Sequence, residues 1–348
     1  MFHAIPTGKR ATRFSRENRC TLFLELLSME MAMTLDPDAL RALEIGRAAG
    51  GEPFENGSVA AARAAYNASF PTQQGEHEPV AATLQQEIDG PNGPVTIRIH
   101  RGIGAPRTGA RAVLYLHGGG WVIGNLSSHD EICRWLANLG NAVVVCPDYR
   151  LAPEHKFPAG LEDCAAALRF MAQNTGELGI DPARISVAGD SAGGNLAAVL
   201  ALLARDGLIP RLAAQVLIYP NTDARQTADS YRRFGDGFGL TAATMAWFRD
   251  HYVRTPDDIT DWRVSPLLAS SLAGAAPAFV VIAGHDILAD EGTAYAERLR
   301  IEGVPLVLRP WLGQIHGFVS MGRHILAARQ AVSEAAAWLQ LQTRVQAD

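Results

Sequence analysis

The sequence predicts an α/β fold, a mostly parallel, doubly wound sheet flanked by helices, and three observations carry that prediction. From residue 83 onward, short apolar runs alternate with segments of helical character. Several of those runs, 112–116 and 142–146 among them, are apolar without interruption, as strands buried on both faces are. The third observation is Gly189-Asp190-Ser191-Ala192-Gly193, which joins a strand-like stretch at 184–188 to an apolar helical stretch at 195–203. A serine on such a strand-to-helix turn is held in a strained backbone conformation that lifts its hydroxyl clear of the fold. The flanking glycines fit, because a Cβ there would collide with the neighbouring strand and helix.

In chain order, Asp36 caps a helix with Pro37 at its first position and Leu40, Leu43 and Ile45 along it, and Gly50-Gly51 ends it. Residues 59–66 are alanine-rich and helical. With no strand partners nearby, both segments are expected to lie over the rest of the fold. Strands at 83–88 and 95–99, separated by Asp89-Gly90-Pro91-Asn92-Gly93, read as a hairpin. Strand 112–116, helix 129–139, strand 142–146 and helix 161–173 follow, then the serine turn, its helix and a strand at 214–219. After Tyr219-Pro220 the rhythm breaks. Residues 221–265 carry Gly235-Asp236-Gly237 and a helix around Met245, Trp247 and Phe248, and this is too long for an ordinary loop. It reads as an insertion with its own structure, such as a lid. Strand 278–283, helix 291–301, strand 306–309 and a closing helix at 325–341 resume the alternation.

Composition excludes several classes. The 348 residues carry a net charge of −5, which offers no basic footprint for nucleic acid or an anionic membrane. No run approaches the roughly 18 uncharged apolar residues that a membrane span requires. Cys20, Cys133, Cys146 and Cys164 lie scattered, without metal-ligand spacing, which fits a reducing, cytoplasmic location. Neither a metal nor a cofactor is expected. Near the N-terminus, Lys9, Arg10, Arg13, Arg16 and Arg19 precede an apolar run, but Glu25 and Glu30 interrupt it and no small-residue cleavage site follows. Residues 1–32 therefore read as a loosely attached arm, or as an extension upstream of a natural start at Met33.

A nucleophilic serine needs a base, a group to orient that base, and donors for the developing oxyanion. His117-Gly118-Gly119-Gly120-Trp121 follows strand 112–116, and its glycines let backbone N–H groups approach a substrate unobstructed. The N–H of Ala192, at the start of the nucleophile helix, is the further donor. Serine hydrolases with this kind of elbow place the acid and then the base later in the chain. His316 lies between the last strand and the closing helix, whereas His324 is expected at the start of that helix. Asp286 ends the strand before it; Asp290 and Glu291 suit the first turn of the following helix, and Asp223, also after a strand, stays a rival.

These motifs resemble the hormone-sensitive-lipase-like branch of the α/β-hydrolases, bacterial esterases with HGGG and GDSAG signatures. The likeness runs from about Met33 to the C-terminus and includes Asp148-Tyr149-Arg150-Leu151-Ala152-Pro153-Glu154, Ser265-Pro266-Leu267 and His316-Gly317-Phe318. It implies an α/β-hydrolase core with a helical cap and a triad of Ser191, Asp286 and His316. The implied oxyanion hole comprises Gly119, Gly120 and Ala192, with Gly118 shaping the loop. Arg150 and Glu154 are implied to be structural supports, and Ala152-Pro153 and Phe157-Pro158 occupy positions where cis peptides occur. Ile287 and Pro147 depart from the usual pattern without touching a reacting group. The expected organisation is an arm (1–32), N-terminal cap helices (33–80), a first part of the core (81–220), a cap insertion (221–265) and a second part of the core (266–348).

The expected function is a serine carboxylesterase acting on small-molecule esters with short to medium acyl chains. Amide or lactone hydrolysis by the same triad is the alternative, and a non-catalytic small-molecule receptor is disfavoured by the retained His316. A homodimer is compatible with the sequence. Trp121, Phe238, Trp247 and Phe248 are the expected substrate-binding aromatics, joined by Tyr231 and Phe234; the same rings could instead form the cap's own core.

Overall fold

The computed structural model describes residues 34–342. Eight strands form one sheet in the order β1-β2-β4-β3-β5-β6-β7-β8. They are β1 Ala82–Gly90, β2 Gly93–Arg101, β3 Ala110–Leu116, β4 Ala142–Pro147, β5 Ile180–Asp190, β6 Gln215–Ile218, β7 Ala278–His285 and β8 Leu306–Ile315. β2 runs antiparallel to both its neighbours, and every pair from β4 to β8 is parallel. The helices are α1 Pro37–Ala49, α2 Val59–Gln73, α3 Asp130–Gly140, α4 Ala159–Gln173, α5 Thr175–Leu178, α6 Ala192–Arg205, α7 Asp229–Phe234, α8 Ala242–Tyr252, α9 Ala289–Ile301 and α10 Leu326–Gln342. None of these is long and apolar enough to cross a membrane.

The period-2 alternation of the strands divides the core. Ala112, Leu114, Leu116, Val143, Val145 and Val187 face one way and pack with α4, α6 and α9. Val113, Tyr115, Val144, Cys146 and Val216 face the other way and pack with α1, α3 and α10. Uninterrupted apolar strands follow from having both faces covered. Between β6 and β7, α7 and α8 lie against the N-terminal segment. Arg47 donates to the Gly237 carbonyl at 2.8 Å, and the Thr244 hydroxyl donates to Glu55 at 2.7 Å.

Several boundaries differ from expectation. β8 continues past Pro310 to Ile315, because it is an edge strand where a missing N–H breaks no ladder bond. β5 begins at Ile180, and its pairing with β3 shifts register between Ala110 and Ala112. α2 runs to Gln73 with Pro71 in its last turn. His324 precedes the closing helix instead of starting it, and its Nε2 lies 2.9 Å from the Thr72 carbonyl. The arm at 1–32 lies outside the described residues.

Candidate active site

Ser191 sits between β5 and α6 with φ 55° and ψ −118°, a region that non-glycine residues rarely occupy. The surroundings enforce it. The Ser191 N–H donates to the Ile218 carbonyl at 2.9 Å, and the Ser191 carbonyl accepts from Asn195 N–H at 3.0 Å. A Cβ on Gly189 would strike the Gly193 and Leu116 carbonyls, and one on Gly193 would also strike that of Leu116. Both glycines are thus dictated by how closely β3, β5 and α6 approach one another.

His316 follows β8 directly, with Gly317 in the left-handed region at φ 78° turning the chain behind it. Its Nε2 lies 2.9 Å from Ser191 Oγ, and its Nδ1 lies 2.7 Å from Asp286 Oδ2. The Asp286 side chain is fully buried, and Oδ1 accepts the Leu288 N–H at 2.9 Å. With the Nδ1 proton directed at the carboxylate, the Nε2 lone pair faces the serine hydroxyl. Asp223 is engaged elsewhere, in a two-pronged pair with Arg225 at 2.7–3.1 Å. Asp290 and Glu291 lie in the first turn of α9, as expected. Tyr219, at φ 33°, sets its buried ring 4.8 Å from the His316 imidazole.

The glycine loop after β3 turns through Gly119 (φ 117°) and Gly120 (φ 58°). Among the described residues, no protein group accepts a hydrogen bond from the N–H of Gly119, Gly120 or Ala192. Gly120 and Ala192 are buried, and a buried donor without an acceptor costs about 1–3 kcal/mol, so these groups are primed for an incoming oxygen. The Gly118 N–H is not available in this way, since it donates to Asp190 at 3.0 Å, which suits a loop-shaping role. His117 lies flat on Tyr149, ring centroids 4.2 Å apart, with Nδ1 2.7 Å from the Gly118 carbonyl. Burial, then the neighbouring His129, pushes its pKa down to about 3, so the imidazole is neutral and donates to that carbonyl.

Trp121 departs from expectation. It is only 3% exposed and its indole stacks on Tyr252 at 4.2 Å, so it packs beneath the loop instead of lining a substrate pocket. Phe248 is also buried, yet its ring lies against Gly120, where a Cβ would run into it. Trp247, half-buried, meets Phe248 edge-on at 5.4 Å. Phe238 packs on Phe234 and His285, beside the acid.

Two supporting residues escaped the sequence reading. Arg63 of α2 donates to the Val122 and Ala152 carbonyls, each at 2.9 Å, and to Glu154 at 2.7–2.8 Å, tying α2 to the oxyanion loop. The signal in the sequence was Glu154 itself, expected as a support without an assigned partner. Arg150 behaves as expected, gripping the buried Asp163 with two bonds of 2.8 Å. Asp190, the second omission, is buried next to the nucleophile. Burial alone would raise its carboxyl, but His129 and the Tyr115 hydroxyl outweigh this and hold it below the usual carboxylate range.

A family model described as an alpha/beta hydrolase fold matches residues 113–320. The carboxylic ester hydrolase LipN of Mycobacterium tuberculosis is 40% identical over 296 residues, which is 83% of this chain and 78% of that protein. The ethyl acetate hydrolase of Pseudomonas putida is 43% identical over 230 residues, 65% of this chain and 72% of that protein. Among solved structures, an ester hydrolase from the Lake Arreo metagenome superposes with a TM-score of 0.84 at 40% identity, covering 88% of this chain and 99% of its own. The hyperthermophilic esterase of Pyrobaculum calidifontis gives 0.81 at 39% identity, covering 89% and 99%.

Proposed function

This chain belongs to the alpha/beta hydrolase family, and from that premise we propose a serine carboxylesterase in which Ser191 is the nucleophile, His316 the base and Asp286 its orienting acid. One observation carries the assignment of roles: the unbroken relay from Asp286 to His316 to Ser191, at 2.7 and 2.9 Å. His316 Nε2 takes the Ser191 proton as Oγ bonds to the ester carbonyl carbon. The carbonyl electron pair moves onto oxygen, where the N–H groups of Gly119, Gly120 and Ala192 receive it. The imidazolium then protonates the departing alkoxide as the C–O bond breaks, leaving acyl-Ser191. Water attacks next by the same proton route and releases the carboxylic acid.

The reading extends to the cap, formed by residues 33–80 and 221–265. Its support is that the two segments meet, through Arg47 and Gly237, Glu55 and Thr244, and Phe54 with Phe248 at 6.3 Å. Aromatic rings beside Gly120 favour short to medium acyl chains. The reading also includes a cytoplasmic location, supported by the unbridged, buried Cys133, Cys146 and Cys164, and a homodimer. Leu308 and Leu312, exposed on the edge strand β8, support the dimer, which sedimentation tests.

Ser191→Ala tests the core of the proposal. Turnover of p-nitrophenyl butyrate is expected to fall by about 10³-fold or more, with unfolding behaviour preserved. Persistent turnover in a folded variant rejects Ser191 as the nucleophile.

A further inference from the structure

One buried charge beside the nucleophile takes no part in the relay. Asp190, 4% exposed, gathers the Tyr115 hydroxyl at 2.7 Å, the Gly118 N–H at 3.0 Å and His129 Nε2 at 3.3 Å. With the His129 Nε2–H directed at Asp190, Nδ1 accepts from the Ser128 hydroxyl at 2.8 Å. Ser128, His129 and Asp190 thus repeat the residue types of the catalytic relay. They do not make a second nucleophile, because Ser128 is fully buried.

What this array does follows from where Asp190 stands. β3 and β5 run parallel, and their ladder ends at the pair Leu116 and Gly189. Beyond that pair β3 leads into the glycine loop and β5 into the serine elbow. The Gly118 N–H to Asp190 bond then joins one to the other. A Cβ on Gly118 would run into the Asp190 carboxylate, so the contact requires glycine. A carboxylate can receive three donors at one point with charge-assisted bonds, whereas an amide presents one acceptor and adds donors of its own.

We propose that Asp190 is a positioning residue for the oxyanion loop, its buried carboxylate fixing Gly118 and thereby the Gly119 and Gly120 N–H groups relative to Ser191 Oγ. The oxyanion exists only in the transition state and intermediate, so a displaced loop costs turnover and leaves substrate binding nearly untouched. The inference rests on the proposed roles of Ser191 and the glycine loop.

Asp190→Asn is the direct test. Its kcat for p-nitrophenyl butyrate is expected to fall about 10–100-fold, with KM changing by less than about 3-fold. Affinity for an alkyl trifluoromethyl ketone, whose serine adduct bears the oxyanion, is expected to fall by a similar factor. The acid limb of the kcat/KM profile should stay in place, because Asp286 and His316 are untouched; a general loosening of the site would move it. Gly118→Ala attacks the same contact from the loop side and carries the test alone if Asp190→Asn does not fold, with the same kcat and KM split expected. Where both fold, the double variant should lose less than the product of the two single losses. A folded Asp190→Asn with kcat within about 3-fold of wild type, a loss expressed in KM, or a shifted acid limb overturns the role given to Asp190. Ser191→Ala is measured alongside: if it retains turnover, the reading of the site itself fails, whereas an inactive Ser191→Ala beside an unimpaired Asp190→Asn removes only the present inference.

Discussion

Asp223 and Asp286 both follow strands of the sheet, and only three-dimensional geometry separates them. Asp286 reaches His316 at 2.7 Å, while Asp223 folds back onto Arg225 two residues on. An asparagine at 286 could present its amide N–H to Nδ1 and select the wrong imidazole tautomer. Asp286→Asn is therefore expected to lower kcat by about 10³–10⁴-fold, the scale of the same exchange in serine proteases. Asp223→Asn should stay within about 10-fold, since its buried carboxylate pairs with the exposed Arg225 and makes no catalytic contact. Equal losses in the two variants, measured as kcat on one nitrophenyl ester, would mean that the acid is misassigned. The hydrogen-bonded relay was legible in the sequence because topology orders it: each member stands at the end of a parallel strand, so chain position stood in for spatial position. Arg63 and Asp190 were not legible in this way. Their partners lie 59–91 and 61–75 residues off in the chain, and no local spacing announces such contacts.

At the scale of elements, the proposed function makes α8 the wall expected to limit what the site accepts. Phe248 lies against Gly120, with Trp247 and Phe54 packed around it, so an acyl chain entering along this wall meets stiff rings. Each buried CH₂ adds about 0.8 kcal/mol until the space is filled, after which displacing packed side chains costs about 1–3 kcal/mol. Across acetate to palmitate esters, kcat/KM is expected to peak at short or medium length, and Phe248→Ala should move the peak to longer chains. A steady rise to palmitate in wild type, or an unmoved peak in the variant, rejects this wall. The sequence placed an aromatic helix here but could not assign its faces. Trp121, read as pocket, packs on Tyr252, a contact 131 residues away in the chain that no local pattern announces. Pro310 likewise hid half of β8, since an internal proline forbids a central strand and only the sheet order shows that this one is an edge.

Across the whole molecule, Glu131 ties three distant segments together. It is 1% exposed at the start of α3, accepts the Gly75 N–H at 2.7 Å, and lies against Gly322 and the Arg323 backbone region that follows the histidine loop. Burial, countered only in part by Gly75 and Arg323, pushes its pKa up to about 7 from an ordinary 4.5. The folded state then holds a proton that the unfolded chain has released, so stability is fullest below the ordinary value and declines as pH rises through about 7. The effect is on the order of 3 kcal/mol. Glu131→Gln keeps the acceptor for Gly75 and cannot ionise, so urea unfolding should show it gaining on wild type from pH 5 to pH 8. A constant difference between the two proteins would remove Glu131 from the pH response. The central claim, that one serine carries the chemistry, is tested most directly by intact-mass and peptide mass spectrometry after treatment with diethyl p-nitrophenyl phosphate. The expected result is a single diethylphosphoryl group per chain, on Ser191, appearing in step with loss of esterase activity and absent from Ser191→Ala. An adduct on another serine, or full modification of Ser191 with activity intact, would contradict it.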